Sequence, residues 1–420
     1  MIRIAGILLV LLVSFGTRAA EVRTISFTGL TRTNESFLRG IIQLKEGAVF
    51  SDTLLEEDVF LLKNLNLFFD VHGTATNVSP ASVDVVFKIK EANYIYPILS
   101  ASGFNDQLKL QLGVNDINFL GRAQSFGILY QFYDRHSFSL FHTSKRHINN
   151  KTGHELALAK YSTLEPLYSF DTVSNFNFDN YSASAGGYYW LGKYLNAHLG
   201  GAYMYERYNQ QDNGFSIGGG KTSFAFHKHQ LRSSVNYDKV AHVYERRDGF
   251  AWKVYGEWIY TYGNESKDAR FLKLLIQQRW YKLVGEGGNL AVGTRFGLAT
   301  NRQSPFSPFV LDGFLNVRGI GNRIERGTAE LIGNIEYQQR IIQHKYVTVQ
   351  LAGFSDYGAL RSPGLSFASS LSTSTPNLFV GGGIRLHLNV FYKTSFRLDY
   401  SVNPFLRDQK GVTFGFGQFF

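Results

Sequence analysis

The chain has 420 residues, a net charge of +10 and no cysteine. Without cysteine it cannot form disulfides, bind metals through thiolates, perform thiol redox chemistry or carry a lipid on an N-terminal cysteine. Its basic residues are scattered rather than clustered, which argues against nucleic-acid binding, and its 36 Phe, 24 Tyr and 42 Gly against 8 Pro favour a β-rich protein with many turns.

Residues 1–19 are predicted to be a secretory signal peptide, with a short membrane anchor as the alternative. An apolar run of about ten residues follows Arg3, roughly half the length that spans a bilayer. Thr17 and Ala19 are small residues in front of a cleavage site before Ala20. We therefore expect an exported protein, and no later segment is apolar for long enough to form a transmembrane helix.

Residues 20–92 are predicted to form a small α/β domain. The segment "VRTISFTGL" alternates like a strand and ends in Gly29. Two amphipathic helices follow, the first capped by Thr33 or Asn34 and the second by Ser51. The segments "FFDVHGTAT" and "VDVVFKIKE" then read as strands, which gives the order β-α-α-β-β.

Residues 93–420 are predicted to form a β-barrel, because runs of about ten residues alternate with period two. In "GGGIRLHLNV", Ile384 and Leu386 lie on one face and Arg385 and His387 on the other. The polar face would be wet in a soluble sandwich, but would line the lumen of a transmembrane barrel. Long strands in an even number favour the barrel. The sixteen predicted strands are 94–103, 106–116, 122–133, 136–145, 153–163, 181–192, 194–209, 221–240, 249–262, 269–284, 289–301, 327–342, 345–358, 377–390, 394–404 and 410–420.

In the second half of this region, the length of a connection depends on whether it follows an odd-numbered or an even-numbered strand. Those after even strands are short, as at 285–288 and 343–345, whereas those after odd strands include the long segments 302–326 and 359–376. Short periplasmic turns and longer external loops are typical of an outer-membrane barrel.

The last strand has the features of a closing strand. Phe414, Phe416 and Phe420 lie on one face, opposite small residues that include Gly417. Terminal aromatic residues suit an anchor at the membrane interface. The glycines reduce side-chain packing along this edge; together with the family resemblance described below, they indicate a weak seam between the first and last strands.

No motif predicts catalysis, a cofactor or a metal. The pair His227 and His229 could bind a metal, but no third ligand is evident, and a position in the lumen or at the interface is the better interpretation. The sequence lacks a G-x-S-x-G elbow, a P-loop and an H-E-x-x-H motif.

Several segments occur in the order found in one known family. They are "NLFFDV" (66–71), "DINFLGRAQ" (116–124), "VRGI" (317–320), "NIEYQQ" (334–339), "FSDYG" (354–358), "GGGIRL" (381–386) and "FRLDYS" (396–401). With them the chain resembles the BamA/TamA superfamily of outer-membrane proteins over nearly all of its mature length. The resemblance implies a mainly β fold: one POTRA domain followed by a sixteen-stranded antiparallel transmembrane β-barrel.

The resemblance also implies a site. In the family, the loop that carries the VRG motif folds back into the barrel, where its arginine pairs with inward-facing acids. The matching residues here are Val317, Arg318 and Gly319, and strand parity points Glu336 and Asp356 into the lumen. Arg318 is expected to hold the loop through these two acids, in a structural rather than catalytic role. Ile320 stands where the family has an aromatic residue.

What the resemblance implies about function is a non-enzymatic outer-membrane protein with its N-terminal domain in the periplasm. It would assist the assembly, insertion or translocation of proteins, and its POTRA domain would bind unfolded outer-membrane protein clients by strand addition. Membrane lipids would surround the barrel, and periplasmic or lipoprotein partners are compatible with this role. The alternatives are a secretion pore for one dedicated substrate, which typically carries two POTRA domains, and a structural surface-antigen barrel without clients.

Overall fold

The computed structural model describes residues 20–416 except 66, 103–107, 149–150, 170–171, 213–221, 263–269, 303–305, 307, 314, 322–324, 367, 369–376 and 389–393. The expected signal peptide, Gly417 and Phe420 lie outside the described residues. No helix among the described residues is both long and apolar enough to cross a membrane.

The N-terminal domain has the predicted order β-α-α-β-β. Its elements are β1 (Glu21–Thr28), α1 (Glu35–Ile41), α2 (Asp52–Lys63), β2 (Phe68–Ser79) and β3 (Ser82–Glu91). Asn34 caps α1 by accepting the Phe37 N–H, and Ser51 caps α2 by accepting the Leu54 N–H. The sheet order is β1-β3-β2, with β1 parallel and β2 antiparallel to β3.

The two edges of this sheet differ. Val22 of β1 exchanges backbone hydrogen bonds with the segment 47–48, and Ala20 accepts one from Phe50, so this edge is partly covered. Within the described residues, β2 pairs only with β3, and its half from Thr74 to Ser79 is exposed. Strand β2 is therefore the open edge of the domain.

The predicted sixteen-stranded antiparallel barrel is confirmed, and it is closed. Because antiparallel neighbours are hydrogen-bonded around the ring, most of its backbone polar groups are satisfied without water. The strands after the N-terminal domain are β4 (Ile95–Ser102), β5 (Lys109–Phe119), β6 (Gln124–Tyr133), β7 (Arg135–Ile148), β8 (Thr152–Ser169), β9 (Thr172–Trp190), β10 (Leu195–Gln210), β11 (Ser223–Val243), β12 (Arg246–Tyr262), β13 (Arg270–Val284), β14 (Gly288–Ala299), the short β15 (Phe309–Leu311) and β16 (Glu325–Gly327), then β17 (Ala329–Gln343), β18 (Val347–Arg361), β19 (Asn377–Leu388), β20 (Thr394–Val402) and β21 (Lys410–Phe416).

Side chains alternate between the two faces of the wall as predicted. Ile384 and Leu386 are exposed on the outer surface, whereas Arg385 and His387 are buried inside. A soluble sandwich would have the reverse arrangement, with its charges in water.

Two details differ from the prediction. Strands β8 and β9 run to Ser169 and from Thr172, although 164–180 was expected to be a connection. Pro166 interrupts the strand pattern there, yet it pairs with Asn175 in the ladder. In addition, β15 and β16 form a two-stranded hairpin of their own within the segment predicted to be a loop.

The barrel closes between its last strand, β21, and its first strand, β4. Thr413 pairs with Ser102 and Phe414 with Ala101, the two pairs present within the described residues. By comparison, β20 and β21 form seven pairs. This junction, hereafter the seam, is the least extensively paired junction in the described part of the barrel.

Candidate functional site: the folded-back loop and the seam

The described residues of the segment 300–328, hereafter the inner loop, fold back into the lumen. A tight turn is built at Asp312, whose carbonyl accepts the N–H groups of Leu315, Asn316 and Val317. Gly319 and Gly321 have φ values of +90° and +82°, which glycine adopts without strain. The sequence thus bends the chain sharply on both sides of Arg318.

Arg318 is completely buried in this turn. Its Nε and Nη2 atoms donate to Asp356 on β18 at 2.7 and 2.9 Å, and its own backbone N–H donates to the same carboxylate at 3.0 Å. Its Nη1 atom donates to Glu336 on β17. The guanidinium also lies over the Phe354 ring, 3.5 Å from the centroid. A bidentate arginine–carboxylate pair fixes orientation as well as distance.

Further charged groups on the wall extend this contact. Arg385 on β19 donates to Glu336 at 3.0 Å and to Asp399 on β20 at 2.5 Å, and Arg397 donates to Asp399 at 3.3 Å. With Arg318 and Asp356, the cluster therefore contains three arginines and three carboxylates. Buried charges are costly unless they are paired, and this set is balanced.

Small residues on the wall make room for the cluster and the loop. An added Cβ at Gly383 would lie 2.1 Å from an Asp399 carboxylate oxygen, and one at Gly415 would lie 2.6 Å from Arg397 Nε. The glycines of the last strand were predicted to weaken the seam, and Gly415 among them makes room for a group that faces the lumen.

Apolar contacts seat the same turn. Val317 and Ile320 are buried together with Leu311, Ile332 and Phe379. An isoleucine in the position where the family resemblance implies an aromatic residue therefore still fills a packed pocket.

The inner loop also contacts both sides of the seam. Gly319 lies against Gly411 of β21, since an added Cβ at Gly411 would be 3.1 Å from the Gly319 Cα. On the other side, Asp312 forms a buried ion pair of 3.4 Å with Lys109 of β5. The loop thus connects the last strand to the second strand of the barrel from inside.

A second anchor lies on the opposite wall. Arg326 of β16 forms an ion pair with Glu165 of β8, and Glu165 is 2 % exposed. In the ring of strands, β8 and β18 are eight positions apart among sixteen. The inner loop is therefore attached to strands on opposite sides of the ring.

Next to this anchor the lumen is aromatic rather than polar. Phe306 of the inner loop meets Tyr208, Phe224 and Phe226 with ring centroids 5.2–5.8 Å apart. These side chains form one buried cluster with Leu167, Phe176, Phe178 and the partly buried Tyr161. The loop has an apolar seat on this wall in addition to the ion pair.

The N-terminal domain packs against the barrel through the turn at 116–124. Arg32 pairs with Asp116 at 2.6 Å, and the Asn34 N–H donates to the Gly121 carbonyl at 2.8 Å. An added Cβ at Gly121 would lie 2.3 Å from the Arg32 carbonyl oxygen, so only glycine fits. The segment "DINFLGRAQ" is thus the docking turn between the two domains.

Glu91 organises the domain side of this contact. Its carboxylate accepts the backbone N–H groups of Arg32 and Thr33 at 3.0 and 2.9 Å. Burial acts to raise the pKa of Glu91, but hydrogen bonds from Thr31, Tyr94 and Thr33 outweigh it and hold the pKa at about 2. The charged carboxylate is the form that holds the segment 31–33.

A second contact lies across the barrel mouth. Lys193, in the turn between β9 and β10, pairs with Glu57 of α2, and Phe60 meets Tyr194 edge to face at 5.8 Å. The domain therefore spans the mouth from the turn after β5 to the turn after β9.

Some of these site residues were predicted from the sequence, and others were not. The structure brings Arg318, Glu336 and Asp356 together, with Val317 and Gly319 in the same turn. Phe414 lies at the seam, Phe416 pairs with Phe396, and Gly417 and Phe420 are outside the described residues. Residues missed as site members are Lys109, Glu165, Asp312, Arg326, Phe354, Arg385, Arg397 and Asp399. Inward alternation on β19 and β20 was the available signal for Arg385, Arg397 and Asp399.

The two histidines considered as a possible metal site lie outside this site. His227 and His229 are on the outer surface, where Tyr203 and Tyr262 stack or hydrogen-bond with them. Within the described residues, no group of three metal-ligating side chains occurs.

A closed barrel with an arginine-fixed inner loop and one small α/β domain at its mouth defines a class of outer-membrane β-barrel protein. Residues 118–420 match the Omp85 superfamily domain, and residues 20–92 match POTRA, the surface antigen variable number repeat. The chain belongs to the Omp85 superfamily. It lies in the outer membrane with its N-terminal domain in the periplasm.

Solved structures share this fold at low identity. CdiB from Escherichia coli is similar with a TM-score of 0.63 and 12% identity, covering 95% of this chain and 76% of that one. CdiB from Acinetobacter baumannii gives 0.59 and 11%, covering 95% and 74%. BamA from Haemophilus ducreyi lacking POTRA domains 1-3 gives 0.51 and 15%, covering 94% and 84%.

Proposed function

We propose that this protein assists the insertion of other proteins into the outer membrane by opening its seam, in a role that needs neither catalysis nor a cofactor. The observation that carries the proposal is the pairing of β4 with β21, which within the described residues is limited to Ala101 and Ser102 opposite Phe414 and Thr413. Unpaired backbone groups at a parted seam would offer a template for a client strand.

The inner loop controls the seam in this proposal. Gly319 rests on β21, and Asp312 holds β5 through Lys109. While Arg318 keeps the turn in place, both flanks of the seam are tied to one segment. Release of Lys109 would free β5, and withdrawal of the turn would free β21.

The periplasmic domain receives clients through β2. This strand is the open edge of its sheet, and the residues from Thr74 to Ser79 are exposed. An extended, unfolded segment can add there as a further strand. A photo-crosslinking residue at Thr76 is expected to capture unfolded barrel precursors, whereas the same residue at Glu56, on the exposed face of α2, is expected to capture none.

The main alternative is a secretion pore for one substrate. A polypeptide in transit through the lumen would have to displace the inner loop from Glu165 on one wall and from Asp356 on the other, together with the cluster around Phe306. Opening of the seam requires fewer of these contacts to be displaced, which favours insertion over export.

The deciding experiment locks the seam. Because the chain has no cysteine, an Ala101→Cys/Phe414→Cys pair can be oxidised without competing thiols. The matched control is Leu290→Cys/Tyr337→Cys, a register pair between β14 and β17. Each variant is supplied to cells depleted of the natural protein, and the outer-membrane proteome is measured.

We expect loss of many barrel proteins on depletion, rescue by the control pair, and no rescue by the oxidised seam pair until it is reduced. Loss of one exported protein alone, with the oxidised seam pair still active, would instead identify a secretion pore. An unchanged proteome on depletion would contradict both roles and leave a structural barrel.

A further inference from the structure

The outer surface of the barrel carries an apolar groove of about 630 Å³ that crosses β6 to β10, with Leu140, Leu158, Ala183 and Tyr203 in its lining. Ala183 of β9 belongs to its floor, and the outward-facing Ala185 and Gly187 continue a strip of small residues from there down to Tyr189. These three small positions cover about 13 Å of strand, at about 3.3 Å per residue.

The walls of the groove come from the neighbouring strands. Leu158 of β8 and Tyr203 of β10 are the register partners of Ala183, and Leu156 is the partner of Ala185. Leu156 and Leu158 are both more than half exposed, at 51% and 58%. The result is a shallow channel along the strand direction, which is wider at Ala185 because its β10 partner is Gly201.

The cation at the upper end of this channel is Lys160, and in the next outward row above it Asp179 is paired with Arg135 and Arg207. Lys160 of β8 lines the groove, and its register partners on this face are Phe138 and Tyr181, both uncharged. The row continues through Tyr205 and His227. A lysine set in an aromatic row at the edge of an apolar surface is placed to meet an anion at headgroup level.

The depth of Lys160 fits the outer leaflet. It lies eight residues beyond Thr152, the periplasmic end of β8. At about 3.3 Å per residue and a tilt of about 40°, this corresponds to a height of roughly 20 Å, near the outer edge of an apolar band about 25 Å tall. The groove then descends from Lys160 into that band.

We propose that this groove is a fixed binding site for one outer-leaflet lipid that has a phosphate group and a net negative charge. An acyl chain lies over Ala183, Ala185 and Gly187 between the leucine and tyrosine walls. The lipid phosphate accepts hydrogen bonds from the Lys160 ammonium group, with the Tyr181 ring at the same level. Charge complementarity and the shape of the groove select this occupant together.

A second outward-facing cation, Arg270, is available for comparison with Lys160. Arg270 of β13 lies over the Tyr260 ring, 5.2 Å from its centroid, and faces that residue in the β12–β13 register. Its guanidinium already has a ring to stack on, and it does not line the groove. Arg270 is therefore the control for loss of a positive charge from the barrel surface.

The test measures lipid retention by the purified, full chain. Protein in detergent is titrated with phosphatidylglycerol or with phosphatidylcholine, and bound lipids are counted by native mass spectrometry. The wild-type chain is expected to retain one phosphatidylglycerol in preference to phosphatidylcholine. Lys160→Gln is expected to reduce this preference about fivefold, the effect of one lysine near an anionic headgroup.

A second variant tests the groove separately from the charge. Ala183→Phe fills the floor and should lower retention of both lipids, while Arg270→Gln should behave like the wild-type chain. Heat-dependent gel mobility establishes that each barrel is folded. Unchanged retention in folded Lys160→Gln and Ala183→Phe, or equal retention of the two lipids by the wild-type chain, would overturn the proposal.

Discussion

Gly319 of the inner loop and Gly411 of β21 meet backbone to backbone. A Cβ added at Gly411 would lie 3.1 Å from the Gly319 Cα and 3.2 Å from its carbonyl oxygen. The nearest group is main chain, which cannot rotate away as the end of a side chain can. The contact therefore links the position of the loop to the position of the last strand.

Replacing Gly411 with valine should force the inner loop and β21 apart. We expect a loss of about 1–3 kcal/mol in the free energy of unfolding, typical of overpacking, and faster cleavage of the loop by an added protease. Urea unfolding in detergent and timed proteolysis measure the two effects. Gly333→Val is the control, because nothing lies within 4 Å of a Cβ there; equal effects of both substitutions would show that the contact has no special role.

Replacing Arg318 with alanine should destabilise the inner loop strongly. It leaves the Asp356 and Glu336 carboxylates buried with less positive charge, and breaking a buried ion pair in this way costs about 3–5 kcal/mol. Arg318→Lys should recover part of the loss, since it keeps the charge but not the bidentate geometry. Urea midpoints give the comparison. Arg302→Ala, an exposed position in the same loop, should have little effect, and a similar loss there would refute the assignment.

Replacing Arg326 with glutamine should detach the inner loop from β8 and leave Glu165 without its cationic partner. We expect a larger ion conductance in planar bilayers and a lower urea midpoint. The double variant Arg326→Gln/Glu165→Gln should recover stability, because no unpaired charge remains, but should keep the raised conductance. A double variant that is as unstable as the single one would argue against an ion pair as the origin of the effect.

Acid should weaken the N-terminal domain through Glu91. Its pKa is about 2 in the folded protein against an ordinary 4.5, so the unfolded chain binds more protons between these values. The stability that Glu91 contributes is therefore complete above about pH 4.5 and is lost as the pH falls toward about 2. Denaturant midpoints of the domain at a series of pH values measure this slope.

Glu91→Gln should flatten that dependence, and Glu56→Gln, on the exposed face of α2, should leave it unchanged. If the Glu91→Gln chain kept the full wild-type slope, the acid sensitivity would have to arise elsewhere in the domain.

Much of the fold was predictable because a strand has a period of two. The alternation of Ile384 and Leu386 with Arg385 and His387 determines which face is inside, and it does so without long-range information. The encounter of Arg318 with Glu336 and Asp356 followed from the same parity, combined with the position of the loop that the family resemblance supplied.

The site residues that were not predicted are those whose contacts depend on the path of the inner loop through the lumen. Glu165 and Arg326 are 161 positions apart in the numbering, and no local pattern joins them. The aromatic side chains around Phe306 contradict the expectation of a polar lumen, because the loop supplies an apolar surface for them to cover. Pro166 hid the extension of β8 for a local reason, since proline is uncommon inside a strand.

The two anchors of the inner loop also have a mechanical consequence. Arg318 and Arg326 tie the loop to strands on opposite sides of the ring, so the loop acts as a brace between them. A barrel that parts along one side must change the shape of its cross-section, and a brace resists that distortion along its own axis. The elasticity of the wall at β8 therefore helps to determine how far the opposite half of the barrel can yield, although no residue of β8 belongs to the seam.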